Sequence, residues 1–387
     1  MHSILDDDLY KFTMAQAVAE KYPHAQARYL FINRGAHNFT EDFVERLRST
    51  VSDLKELHLT SDEADFLREA CPFLTPVFID LLKGYRYDLS EVEYYLGNGH
   101  QLGVVVKGPW YRTILWEVKL LALISETYFH WHKTDNLATA EEAVTCKGRK
   151  LAKRGIKFAD FGTRRRYSAA HHDAVVYALK HAAGNNFVGT SNVYLAMKHG
   201  LRPIGTQAHE WFMFHGAKYG YRSANRMAMK KWVEVFHGDL GIALSDTYTT
   251  DAFFQAFTSK YAKLFDGVRH DSGDPYEFTD KTIAHYKQLG INPMTKTIVF
   301  SDGLTPQKAV NISTFCAKEG IKCSFGIGTN LTNDIEGIEP LNIVMKMSHC
   351  KPYGTDEWLP VTKLSDIKDK HTGDPEEVEL CKQSLRL

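Results

Sequence analysis

Lys157-Phe158-Ala159-Asp160 runs directly into Phe161-Gly162-Thr163-Arg164, and the same sentence recurs as far as Met347: a short apolar, strand-like run that ends in Gly, Ser, Thr, Asp, Arg or His. Its later clauses are Asn186–Val188 into Gly189-Thr190-Ser191, Pro203-Ile204 into Gly205-Thr206-Gln207-Ala208-His209-Glu210, and Ile242–Leu244 into Ser245-Asp246-Thr247-Tyr248. Then come Gly267-Val268 into Arg269-His270-Asp271-Ser272-Gly273-Asp274, Thr297–Phe300 into Ser301-Asp302-Gly303, Cys323–Phe325 into Gly326-Ile327-Gly328-Thr329-Asn330, and Leu341–Val344 into Met345-Lys346. Helical stretches lie between most of these runs, a rhythm that predicts a β/α barrel. Barrel enzymes carry their chemistry at the C-terminal ends of strands, where these polar clusters fall.

Upstream the rhythm changes. Asp7 or Asp8 can cap a helix through Tyr10, Met14 and Val18, and Ala27–Asn33 reads as a strand ending in Asn33-Arg34-Gly35. Helices are predicted near Glu41–Leu57, Ser61–Glu69 and Thr75–Leu82, followed by a strand over Gln101–Lys107 that reaches the Gly108-Pro109 turn. Trp110–His132 reads as one long helix leading into the barrel. Beyond Met347 the chain turns at Lys351-Pro352-Tyr353-Gly354, offers a strand over Val361–Leu364, and ends in a helix capped by Asp374-Pro375-Glu376-Glu377. The expected organisation is an α/β protein: an irregular β/α barrel over 116–347, with an N-terminal α+β domain over 1–115 that the segment 348–387 rejoins. No Gly/Ser linker separates the two, so rigid packing is expected.

Composition narrows the function. The chain has 387 residues, 44% of them hydrophobic, enough for a large core. A net charge of zero removes the broad basic surface of a nucleic-acid binder, while local anion sites stay open. The greasiest stretch, Ile114–Ile124, is interrupted by Glu117 and Lys119 and is too short to span a bilayer, and Met1–Asp8 lacks a leader pattern, so a cytoplasmic protein without membrane contact is expected. The six cysteines form no C-x-x-C pair, which argues against a zinc knuckle or a disulfide framework and for reduced, mostly buried thiols.

The strand-end clusters supply the chemistry. Gly303, Gly326 and Gly328, with Thr329, lie in two late loops whose main-chain N–H groups can approach a phosphate; alternatively the glycines only make tight β-to-α turns. In Arg269–Asp274 a guanidinium can bind a carboxylate or phosphate, and Asp271 can accept from ribose hydroxyls or hold Mg²⁺; the competing reading is a structural Arg269–Asp271 bridge. His209, beside Glu210, is the most chemically loaded residue: a base, a metal ligand or a phosphate acceptor, with His215 and His270 as weaker rivals. Absence of H-E-x-x-H and C-x-x-C disfavours a metalloenzyme and leaves any metal ligands unassigned. Phe161 can stack on a planar ring or fill the core, and Arg164–Arg166 can face a phosphate or solvent.

Taken in order, Asp8-Leu9-Tyr10-Lys11, Gly108-Pro109-Trp110, Asp160-Phe161-Gly162-Thr163-Arg164-Arg165, Gly189-Thr190-Ser191-Asn192, Gly205-Thr206-Gln207-Ala208-His209-Glu210-Trp211, Arg269–Asp274 and Phe325–Thr329 closely resemble the nicotinate phosphoribosyltransferases over nearly the whole chain. The resemblance implies a type II phosphoribosyltransferase fold, a homodimer with shared active sites, and conversion of nicotinate and phosphoribosyl diphosphate to nicotinate mononucleotide and diphosphate. It also implies ATP as co-substrate, spent through a phosphohistidine at His209, with Mg²⁺ as cofactor and NAD salvage as the pathway. Glu210 and Asp246 would orient the imidazole. Phe161 and the neighbouring subunit's Tyr10 would sandwich the pyridine, Arg269 and Thr206 would face nicotinate, and Asp271 the ribose. Gly303, Gly326, Gly328 and Thr329 would take the 5′-phosphate; Lys11, Arg34 and Arg164 would contact diphosphate. Ser191, where nicotinamide-using relatives carry Asp, favours the acid over the amide. One departure is that some members carry a C-terminal metal-binding knuckle whose cysteines this chain lacks.

Two other classes compete. An aldolase or isomerase acting on a sugar phosphate would want a strand-end lysine or acid/base pair, and Lys346 is the one clear strand-end lysine. A non-catalytic nucleotide-binding protein would have no need of His209, Arg269 and Asp271 together.

Overall fold

The computed structural model describes every residue except 1, 2, 36, 132, 133, 135, 355 and 368–370. Among the described residues eleven strands run in chain order: β1 Gln26–Asn33, β2 Val92–Gly97, β3 Gln101–Pro109, β4 Phe158–Asp160, β5 Phe187–Thr190, β6 Ile242–Leu244, β7 Gly267–His270, β8 Thr297–Phe300, β9 Lys322–Ile327, β10 Ile343–Lys351 and β11 Leu359–Pro360. They form two sheets. One is five-stranded and antiparallel, in the order β11-β10-β1-β3-β2; the other is six-stranded and parallel, in the order β5-β4-β9-β8-β7-β6.

The parallel strands are three to six residues long and mostly buried, as expected where helices cover the outer face, although β9 begins at an exposed Lys322. Pro203 is not part of a strand: it makes a single parallel bridge to Thr190 at the end of β5. On its other side the Thr206 hydroxyl donates to the Ile242 carbonyl of β6 at 3.2 Å, so this segment closes the circle with almost no ladder. Proline has no N–H to give a ladder, which explains the weak seventh stave and makes the α/β barrel irregular.

The last predicted barrel run belongs elsewhere. Leu341–Val344 reads as a barrel strand, yet β10 pairs antiparallel with β1, from Gln26↔Lys351 to Asn33↔Ile343. Its burial alternates at Ile343, Met345 and Met347, the mark of a sheet with one packed face rather than a strand covered on both. Strand β2 had no counterpart in the sequence reading, and Val361–Leu364 is not a strand but an irregular segment whose Lys363 bridges to Thr372.

Trp110–His132 divides as well: helices span Trp110–Thr113 and Trp116–Trp131, with a tightened turn between them and His132 outside the described residues. Two indoles six positions apart would lie about 240° apart around a straight helix. The bend lets each reach a buried acceptor, Trp110 on the Tyr29 hydroxyl at 3.0 Å and Trp116 on Glu91 at 2.8 Å.

An aromatic joint fastens the antiparallel sheet to the barrel. Tyr22 and Trp110 pack on Trp211 and Phe214, with ring centroids 4.3 Å apart for Trp110–Phe214 and 4.7 Å for Tyr22–Phe214. The His209–Tyr219 helix is thereby held through its buried Trp211, Phe212, Met213 and Phe214, which fixes the position of His209 at its start. A buried fork ties the N-terminal segment to the barrel rim: Arg166 donates twice to Asp6, at 2.6 and 2.8 Å, and once to Glu126 at 2.7 Å. The terminal helix, Pro375–Leu385, is capped by Asp374 as its sequence predicts. No helix of the described residues is long and apolar enough to cross a membrane.

Candidate active site

Sheet order decides which strand ends meet. Because β6, β7 and β8 are neighbours, in register Leu244↔Arg269 and His270↔Phe300, the residues just past them converge: Asp246, Asp271 and Ser301. His209 joins them from the first position of its helix rather than from a strand end. Its Nε2 lies 3.0 Å from Asp271 Oδ2 and 3.7 Å from Asp246 Oδ1, and its Nδ1 lies 2.9 Å from the Thr247 hydroxyl.

Asp271 is the hub. It accepts from the Ser301 hydroxyl at 2.6 Å and from Arg269 at 3.3 Å, while Arg269 also donates to the Gln207 carbonyl at 3.0 Å. Asp246 is buried and accepts from Ser272 at 2.6 Å. No motif or spacing marks Lys363, which arrives from the C-terminal segment, 8% exposed, with Nζ 2.9 Å from His209 Nε2 and 3.1 Å from Asp246 Oδ2. Thr249, beside this cluster, holds φ at 77°, a costly conformation for a β-branched residue and of a kind that concentrates at functional sites.

Electrostatics sort the protonation states. Burial, then Lys363, push the His209 imidazole below its ordinary value, which favours the neutral ring at pH 7. Burial alone would raise Asp271, but Arg269, His209 and Lys363 hold it well below the usual carboxylate range. Asp246 is also lowered against burial, by His209 and Lys363. With the imidazole neutral, the positive charge facing the two carboxylates comes from Lys363 and Arg269. Lys346 lies near by: burial, then Lys363 and Arg34, push it down to about 7, and its Nζ donates to Thr372 at 2.9 Å. Arg165 is likewise lowered to about 10, by burial and by its neighbours Arg164 and Arg34. Arg34 and Arg164, both exposed, therefore border a positive rim suited to anions.

Across the barrel, β4 pairs with β9 in the register Ala159↔Gly326, which brings Phe161 over Gly326. A Cβ at Gly326 would lie 2.2 Å from the Phe161 ring, and one at Gly328 would lie 3.0 Å from the Phe161 carbonyl oxygen. The glycine is therefore needed for space, and Gly326→Ala is expected to swing the ring off its floor. Steady-state kinetics should show the KM for the ring substrate rising about tenfold, the equivalent of roughly 1.4 kcal/mol, with kcat changed less. An unchanged KM in a folded variant would remove Phe161 from the substrate site.

The two glycine loops are adjacent because β8 pairs with β9, Phe300↔Phe325. Gly303 takes φ +53° and is followed by the Thr305-capped helix Pro306–Glu319, while Gly328 and Thr329 open a single helical turn. Backbone donors and a helix start thus face the same rim.

Several expected contacts fall differently. Glu210 does not orient the imidazole; its carboxylate accepts from Lys11 and, at 2.5 Å, from the Tyr29 hydroxyl. Lys11 is 0% exposed between Glu117 and Glu210, which closes it to diphosphate. Tyr10 is half-buried with its hydroxyl 3.4 Å from Glu117, and Asp8 does not cap its helix: it accepts from Ser191 at 2.7 Å. A carboxylate already stands beside Ser191, so the hydroxyl by itself is no guide to acid against amide. His215 is structural, bonded to Tyr22 and the Trp211 carbonyl and pushed down to about 3 by burial. His270 packs against Phe278 and Phe300.

A family model for the nicotinate phosphoribosyltransferase family matches residues 156–387, and one for the N-terminal domain of the same family matches residues 5–125. The chain belongs to the nicotinate phosphoribosyltransferase family. A nicotinate phosphoribosyltransferase of Chromohalobacter salexigens is 52% identical over 100% of this chain and 99% of its own length. One of Desulforapulum autotrophicum is 50% identical over 98% of each. The crystal structure of nicotinate phosphoribosyltransferase from Porphyromonas gingivalis superposes with a TM-score of 0.98 at 47% identity, covering 100% of both chains. That of Vibrio cholerae gives 0.94 at 35% identity, over 100% of this chain and 94% of the other. The family is one of enzymes.

Proposed function

We propose that the protein transfers the phosphoribosyl group of phosphoribosyl diphosphate to nicotinate, giving nicotinate mononucleotide and diphosphate, the first step of NAD salvage from nicotinate. The observation that carries this reading is the division of one rim into an aromatic floor at Phe161–Gly326, two glycine loops, and a charged cluster around Asp271. In the transfer the bond from ribose C1 to diphosphate breaks and a bond from C1 to the pyridine nitrogen forms. Positive charge builds on the sugar as diphosphate leaves, and Asp271, held ionised, is the carboxylate placed to face it. Phe161 orients the pyridine, Arg269 and the Thr206 segment face its carboxylate, and the Gly303 and Gly326–Thr329 loops take the 5′-phosphate. Arg34 and Arg164 receive diphosphate at the rim.

ATP enters as co-substrate through His209: its terminal phosphoryl group passes to the neutral imidazole, ADP leaves, and water later releases phosphate. A neutral ring, its nitrogen released by its hydrogen-bond partner when the phosphoryl group arrives, is the form such a transfer needs. Mg²⁺ reaches the site on substrate phosphates in this reading, because a lysine ammonium already fills the cation position among His209, Asp246 and Asp271. The active unit is a homodimer in which the partner subunit's Tyr10 covers the pyridine held on Phe161.

Incubation with phosphoribosyl diphosphate, ATP and either nicotinate or nicotinamide tests the proposal. Nicotinate mononucleotide and ADP should form together, with nicotinate strongly preferred; equal use of the two pyridines would overturn the acid assignment. Absence of any mononucleotide would overturn the whole reading.

A further inference from the structure

His209, Asp246 and Asp271 form the one group among the described residues whose ligating atoms come close enough to hold a metal ion, all within 4.8 Å of one another. One imidazole nitrogen and two carboxylates, largely shielded from water, are a donor set for zinc or cobalt, and a poorer one for magnesium, which prefers oxygen. The cluster is nevertheless not vacant of positive charge.

We propose that Lys363 is the resident cation of this cluster, its ammonium filling the place a divalent metal would take, so that the cluster is barred to metal while the C-terminal segment is docked. Lys363 Nζ is 2.9 Å from His209 Nε2 and 3.1 Å from Asp246 Oδ2, hydrogen-bond distances to two of the three ligands at once. An ammonium has donors only, so it can bond Nε2 only through the ring's lone pair, whereas Asp271 Oδ2, 3.0 Å from the same nitrogen, can bond it only through a proton; Nδ1 lies 2.9 Å from the Thr247 hydroxyl. The ammonium thus puts a positive charge between two of the groups a metal would need.

The segment that carries it is built for this position. Leu364 N–H donates to the Thr247 carbonyl at 2.8 Å, and the Ser365 hydroxyl, its backbone at φ +67°, donates to the Ser272 hydroxyl at 2.9 Å. Asp366 accepts from the Thr250 N–H at 2.7 Å and from the Thr250 hydroxyl at 2.6 Å. On the other side Lys363 and Thr372 exchange two backbone hydrogen bonds, each 2.8 Å. The strap is anchored to the loops that carry Asp246 and Asp271, so docking it and seating the ammonium are one event. The inference rests on geometry alone and concerns the unphosphorylated protein, so its test needs no ATP.

Titration with Co²⁺ alone, followed by the visible absorption of the bound ion, tests it in five proteins: the parent, His209→Ala, Lys363→Ala, Lys363→Arg and Lys363→Ala/His209→Ala. Lys363→Ala should bind one equivalent at least 100-fold more tightly than the parent, and the double variant should lose that site. Lys363→Arg keeps a cation in place and should behave as the parent. Two results would overturn the proposal: a His209-dependent cobalt site in the parent as tight as in Lys363→Ala, or no such site in Lys363→Ala. The parent titration, with His209→Ala as its control, keeps the first of these readable even if the alanine variant folds poorly.

Discussion

Replacing His209 with Ala is expected to abolish the ATP-dependent part of nicotinate mononucleotide synthesis, a fall of roughly two to four orders of magnitude in the coupled rate. The helix that begins at His209 is secured by Trp211, Phe212, Met213 and Phe214, all buried, so the variant should stay folded. Incubation with γ-labelled ATP reads the step directly: acid-labile label should appear on the parent and not on the variant. Label that persists in His209→Ala would place the phosphoryl acceptor elsewhere. The pH dependence follows from the same site. Burial and Lys363 hold the imidazole below its ordinary value of 6.5, so the neutral, reactive ring survives as pH falls past 6.5 and is lost only when pH drops through the lowered value. The acid limb of the ATP-dependent rate should therefore lie below pH 6.5.

Replacing Lys11 with Met should cost about 3–5 kcal/mol of stability, because it leaves two buried carboxylates facing one another with only Arg164, 3.5 Å from Glu117, as a counter-ion. Lys11 is enclosed by Glu117 and Glu210, whose side chains are only 10% and 7% exposed. Burial alone would lower the Lys11 ammonium, but Glu117 and then Glu210 raise it above its ordinary value of 10.5, so its stabilising effect is complete at neutral pH and fades only as pH climbs through the raised value. A shift in the denaturant midpoint measures the loss, and Lys11→Met/Glu210→Gln should recover part of it by removing one of the stranded charges. A loss under about 1 kcal/mol would mean that the lysine is not a structural ion.

Much of the barrel could be read from local pattern. Short buried strands followed by polar clusters are a property of the chain itself, and β4 to β9 each appeared where the apolar runs predicted them. The exceptions share a cause. Pro203-Ile204 has the composition of a strand but no N–H at the residue where a ladder needs one, and β10 alternates apolar and polar residues, a signal of one-sided burial that its place at the end of the series concealed. The Trp110–Trp131 stretch has helical periodicity throughout, and the tightened turn at Ile114-Leu115 that interrupts it leaves no mark in that pattern.

The site divides along the same line. Arg269, Asp271, Asp246, Phe161 and the late glycines stand in strand-end clusters, and His209 in the polar run after Pro203-Ile204, so the sequence by itself determined the rim and the types of chemical group on it. Which of those groups face each other was decided by the tertiary structure. Glu210 follows His209 in the chain, yet successive residues of a helix point about 100° apart, and the two side chains serve separate networks. Lys363 lies 154 residues from His209 in the chain and only 2.9 Å from it in space. A contact at that separation leaves no periodicity or spacing to detect, because it depends on where a strap of irregular backbone is pinned by hydrogen bonds to two other loops.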